Sequence, residues 1–335
     1  MKAKTYNTIF FILGLATLVY IVNKIGLHVI WQNILQTGIW FIPVIFIWLI
    51  IYVLNAFALS EIIYEKSQPH TKLPFAKVLK ITICGYAINY ITPFVALGGE
   101  PYRIMELKDK VGTNKATSSV LLYNIMHMFS HIVFWMVSVI LIILFMHPGT
   151  NALIACAAIF IIFFLMSYWV FTKYKKGLLL VTFTALSKVP LIKGRIIKLM
   201  TNKKANLEEI DKHIIELFSL RIPTFYSALA FEFIARVIGC LEIYFIGRAL
   251  QIDISLLDSV IVSAGSSLFA NMIFFSPMQL GAREGGFVLA LKGIGIGGGI
   301  GITMSLITRI RELVWIMIGL LLMRMTKPVT IFKNR

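Results

Sequence analysis

IWFIPVIFIWLIIYVLNAFALSEII, residues 39–63, runs for 25 residues with one charge, Glu61, near its end. A bilayer core of about 30 Å takes roughly 20 apolar helical residues, so this stretch is long enough to cross it. Five further stretches share its character: 8–22, 116–146, 152–172, 222–246 and 302–323. Composition agrees, with 59% of the 335 residues hydrophobic and 14% charged. Soluble domains hold about 45–50% apolar and about 25% charged residues. The sequence therefore predicts an all-α polytopic membrane bundle, one integral-membrane domain over 1–335, with no soluble domain large enough to fold alone.

Two more apolar segments, 75–92 and 256–276, end differently. Each runs into a proline, a glycine cluster and a glutamate: Thr92-Pro93 through Gly98-Gly99-Glu100, and Ser276-Pro277 through Gly281 to Glu284. Charge bias decides how to place them. With both re-entrant and the N-terminus in the cytoplasm, the inner segments 1–7, 64–80, 98–115, 173–220 and 324–335 carry 24 Lys and Arg. The outer loops then carry only Lys24 and Arg248, which is the asymmetry that the positive-inside rule demands. Two full crossings would put the basic loop 173–220 outside. The expectation is six spanning helices plus two re-entrant elements, both termini cytoplasmic, in the inner or plasma membrane. Lys2 and Lys4 ahead of 8–22 resemble a signal-peptide start, but no small-x-small cleavage site follows, so the run reads as a retained anchor.

The two breaks also repeat. Pro93 precedes Glu100 by seven residues, and Pro277 precedes Glu284 by seven. Three crossings separate them, so 75–146 and 256–323 are candidate inverted repeats, a pattern that points to a transporter site near the midplane. Broken backbone at membrane depth survives only inside protein or against a wet cavity.

Ionisable residues inside apolar helices need partners or a function. Here they are Glu100, Arg103, His127, His131, Glu232, Arg236, Glu242, Arg283, Glu284, Arg309, Arg311 and Glu312. Glu100, Arg103, Arg283, Glu284 and Arg309 are the candidate substrate-binding residues, because arginine forks and exposed N–H groups beside a break suit a phosphate. Asn124, His127, His131, Glu232, Arg236 and Glu312 are candidate cavity-lining residues. Glu232 with Arg236 (i,i+4) and Arg309 with Glu312 (i,i+3) have the spacing to pair along one helix.

Several function classes drop out. A net charge of +17 without a basic-aromatic platform favours anionic lipid over nucleic acid. His127 and His131 lack further ligands at useful spacing, so no metal site is expected. Gly293-x-Gly295-x-x-Gly298 has no βαβ unit around it and is a connector, not a dinucleotide site. Cys84, Cys156 and Cys240 lie apart in apolar stretches as packing residues. No catalytic motif and no cofactor site appear. In 173–220, Asn206-x-x-Glu209 reads as a helix start, with Leu207, Ile210, Ile214, Leu217 and Phe218 on one face.

Gly98-Gly99-Glu100-Pro101 with Arg103, Gly281 with Arg283-Glu284-Gly285, Ser118-Ser119-Val120-Leu121-Leu122 and Arg309 resemble motifs of the lysylphosphatidylglycerol synthase transmembrane region, or flippase-like domain, family. The resemblance spans most of the chain. At Tyr123, Asn124 and His127 the sequence departs from the acid, arginine and aspartate common there. The large aminoacyl-transferring members carry a soluble catalytic domain after the membrane part, whereas this sequence ends at Arg335. The resemblance therefore implies movement or binding of a phospho- or glycolipid headgroup, or an accessory role beside a lipid-modifying or glycosyl-transferring enzyme. An integral-membrane transferase is the alternative.

Overall fold

The computed structural model describes residues 11–325, apart from 13–14, 17–18, 21, 24, 93–97, 174–176, 190–192, 273–278 and 280. Pro93, Pro277 and most of 8–22 thus lie outside the described residues. The described chain is helical: α1 Leu27–Thr37, α2 Phe41–Ile63, α3 Phe75–Ile91, α4 Gly99–Val111, α5 Thr113–Met146, α6 Thr150–Lys173, α7 Leu178–Leu186, α8 Lys193–Asn202, α9 Lys204–Ser219, α10 Ile222–Ala249, α11 Leu256–Met272, α12 Ala282–Gly293 and α13 Gly298–Arg324. No strand occurs among the described residues.

Three stretches among the described residues are both long and apolar enough to cross a membrane: Leu27–Ile63, Thr113–Met146 and Thr150–Val170. The last turns nearly its whole surface outward, exposing Ile154, Phe164 and Tyr168 by more than half. A helix apolar all round gains nothing by facing water, and lipid is the solvent that suits it. Helices α10 and α13, of 28 and 27 residues, have the length but carry buried charges.

The chain forms two compact units: Met1–Tyr52, Leu79–Met105 and Cys240–Arg335; and Val53–Val78 with Glu106–Gly239. In the first, α3 is central. A Cβ on Gly99 would strike the Gly85 carbonyl, and one on Gly319 would strike Ala87. Small residues therefore let α3 approach α4 on one side and α13 on another, the usual device where no water drives helices together. Tyr52, Ile83 and Trp315 pack together nearby, as do Ile91, Leu313, Ile316 and Leu320. Helix α12 packs between α11 and α13. A Cβ on Gly286 would come 2.9 Å from the Ser266 carbonyl.

In the second unit α5 packs on α6 and α9, and α9 on α7 and α8. The buried face of α9 holds Leu207, Ile210, Ile214, Leu217 and Phe218, as the periodicity required. Its start differs from the sequence expectation. The helix begins at Lys204 with Lys203 as N-cap, which puts Asn206 inside it. Asp211 on the same face accepts the N–H groups of Leu179 and Leu180, 2.9 Å each, and so satisfies the open first turn of α7.

Candidate functional site

Four turns of helix in the first unit carry a dense polar network. Helix α12 starts at Gly281, whose φ of 79° suits glycine. Glu284 accepts the Gly281 N–H at 2.8 Å through Oε2 and the Arg309 Nε at 2.8 Å through Oε1. One carboxylate thus fixes the helix start and binds the next helix to it. Arg283 donates to Glu312 of α13. Arg311 donates to both oxygens of Glu242 at 2.9 and 3.1 Å, and lies 3.8 Å from Glu312. Trp48 donates its indole N–H to the same Glu242, 2.9 Å, and the Arg311 guanidinium sits 3.7 Å above its ring. Three arginines meet three glutamates, so the group is formally neutral, as a bilayer demands.

The Arg309–Glu312 pairing expected along α13 is replaced by these bonds between elements. A residue three positions away on one helix competes with a partner facing it across a packed interface, and burial favours the latter because it satisfies more donors. Gln279, with φ of 53°, accepts from two of the arginines: Arg283 Nη2 to its side-chain oxygen and Arg309 Nη2 to its carbonyl, each 3.3 Å.

The first motif builds a smaller group. Asn89 of α3 accepts the Gly99 N–H at 2.7 Å and donates to Glu100 at 3.3 Å. Arg103, 1% exposed, donates to Glu100 at 3.3 Å and lies 5.0 Å above the Tyr86 ring. Gly85 leaves room for it, since a Cβ there would meet the guanidinium. Tyr90, next to Asn89, lies within the field of Arg311, Glu312 and Arg283. Asn89, Tyr90 and Gln279 were missed in the sequence because none carries a charge. Their position beside the breaks was the only signal.

Asn124, His127, His131, Glu232 and Arg236 belong to the second unit. Glu232 pairs with His127 at 2.7 Å. Arg236 reaches Ser130 Oγ at 2.6 Å and the His127 carbonyl at 3.0 Å. These bonds join α10 to α5 where the sequence suggested an i,i+4 pair on α10 alone. Asn124 is half-buried one turn before His127. At the end of α2, Glu65 binds Lys115 and Arg221, and Arg221 also donates to the carbonyls of Glu61 and Ile62. Glu65, His213 and Glu216 bring three ligand-type atoms within 4.8 Å of one another, but Lys115 and Arg221 already neutralise Glu65, so the donor set suits a salt-bridge cluster better than a cation.

Apolar helices that carry neutralised charges in their interior define a helical integral-membrane protein. The chain belongs to the lysylphosphatidylglycerol synthase TM region family, whose model matches residues 8–319. It is thus related to membrane proteins of lipid modification. No curated protein and no solved structure matches it.

Proposed function

We propose that this protein is a lipid transporter of the plasma membrane. It takes the headgroup of an anionic phospho- or glycolipid beside the two Pro/Gly-broken elements, while the acyl chains stay in the bilayer. One observation carries the reading: Arg283 and Arg309 both extend to Gln279, which lies between α11 and α12. Each arginine is held by a glutamate, so neither needs to move. Their bonds to Gln279 are long and to a neutral acceptor. A headgroup phosphate is a stronger acceptor for two guanidinium forks and would displace them.

The hairpins support a re-entrant, inverted-repeat design. Helices α3 and α11 have 17 described residues each, about 26 Å at about 1.5 Å per residue, against the roughly 30 Å of a bilayer core. Helices of 13 and 12 residues follow, then long ones of 34 and 27. Charge bias puts both termini in the cytoplasm. Glu100 and Arg103 then form the second wall of the headgroup site, across α3 from Arg283, Glu284 and Arg309.

Proteoliposomes carrying a panel of labelled phospho- and glycolipids test this, with lipid products analysed in parallel. Translocation without a new lipid supports the transporter. A new lipid species would establish a transferase instead, and neither outcome would leave an accessory role beside a lipid-modifying or glycosyl-transferring enzyme.

A further inference from the structure

We propose that His127 and Glu232 form a proton-binding site in the second unit, and that lipid movement is coupled to the proton it takes up. The coupling clause rests on the transporter reading; the proton site does not.

Helix α5 carries Tyr123, His127, His131 and Trp135 at successive i,i+4 positions. Their rings form a column: Tyr123 to His127 6.2 Å, His127 to His131 5.3 Å, and His131 to Trp135 5.0 Å. Trp135 stacks on Phe163 of α6 at 5.0 Å. Against this column α10 sets Glu232, whose Oε2 lies 2.7 Å from His127 Nδ1. The pair is asymmetric: His127 is 30% exposed and Glu232 only 1%. The imidazole thus lies partly at the surface of the unit, and its carboxylate partner is enclosed.

Two buried polar atoms at this site stand out. Among the described residues, Glu232 Oε1 and His131 Nδ1 have no hydrogen-bond partner. An enclosed carboxylate with an empty lone pair is costly, and a proton on the His127–Glu232 pair relieves that cost. Histidine is the side chain whose charge ordinarily changes between pH 5 and 8. Among the described residues, the charged and titratable groups beside the pair include Arg236 on α10 and His131 and Tyr123 on α5, and Phe163 of α6 stacks behind on Trp135. Arg236 directs bonds to Ser130 Oγ and the His127 carbonyl, fixing the helix that carries the imidazole.

The balance is one proton, taken from the aqueous side, held between imidazole and carboxylate, and released on return. Ionisable chains of this kind in membrane helices mark proton relays. No oxidant or nucleotide is needed.

The test uses the full chain in proteoliposomes with fluorescent phosphatidylglycerol as probe and a trapped pH dye. A gradient of one pH unit shifts a one-proton coupled equilibrium up to about tenfold. The expected result is lipid redistribution that follows the sign of the gradient, with proton flux, in the native protein. Glu232→Gln and His127→Gln should both flatten that response; agreement between them guards against misfolding of one. Native lipid movement indifferent to the gradient, or a native-like response in both variants, overturns the proposal while leaving transport standing. If no lipid moves, the transporter reading fails, and nitrogen-labelled histidine spectra in nanodiscs decide the site. A His127 ring that titrates between pH 5 and 8, with a midpoint moved by Glu232→Gln, sustains it. A ring fixed in one state over that range overturns it.

Discussion

Arg311 and Glu242 meet inside the first unit as a two-bond pair, 2.9 and 3.1 Å, with side chains only 3% and 7% exposed. Trp48 closes it from both directions, donating to the carboxylate and lying under the guanidinium. Breaking such a pair leaves a buried charge, at a cost of roughly 3–5 kcal/mol, whereas replacing both partners by apolar residues is often neutral. Glu242→Leu and Arg311→Met should each lower the melting temperature in detergent sharply. The double variant should recover most of the loss. Additive single losses would show that the two side chains act independently.

Arg283→Ala should abolish lipid translocation in a protein that still inserts and elutes as a single species. Arg283→Lys should restore only part of it, because an ammonium keeps the charge but not the fork. Aggregation of both variants would assign Arg283 to a structural lock with Glu312.

Glycine substitutions should separate close packing from backbone strain. In Gly99→Ala the methyl meets the Gly85 carbonyl, and overpacking of this kind costs roughly 1–3 kcal/mol. Gly281→Ala meets nothing within 4 Å, and carries only the penalty of φ 79°, roughly 1–2 kcal/mol. Thermal unfolding should rank Gly99→Ala as the worse. The reverse order would mean that α3 and α4 separate easily.

Acid stability should depend on Glu65. Burial opposes its ionisation, but the Lys115 hydrogen bond and the charges of Lys115 and Arg221 outweigh that and hold its pKa below the usual 4.5. A depressed folded value means that the pair stabilises the protein above about pH 4.5, and that this stability is lost as pH falls through the lower folded value. Glu65→Gln should lower the melting temperature at neutral pH and flatten its fall below pH 4.5. An unchanged acid limb would exclude Glu65 as its source.

Orientation can be read by cysteine labelling. With Cys84, Cys156 and Cys240 replaced, a cysteine at the exposed Lys110 should react from the cytoplasmic side only. Labelling from outside alone would reverse the re-entrant placement of 75–92.

Apolar length and composition by themselves determined the membrane class, since a run such as 39–63 has no stable home in water. Periodicity likewise determined the buried face of α9. Those are local effects, set by residues within a few turns of each other. The choice of ion-pair partners was decided only by the tertiary structure. Arg309 could have paired with Glu312 three residues on, yet it takes Glu284; Glu232 could have taken Arg236, yet it takes His127. A charge on an apolar helix announces that it needs a partner, and says nothing of which one. Packing α13 against α12, and α10 against α5, brings the partner, and the neutral Asn89 and Gln279 enter these groups for the same reason. Their hydrogen-bonding value exists only once the helices that carry them have met.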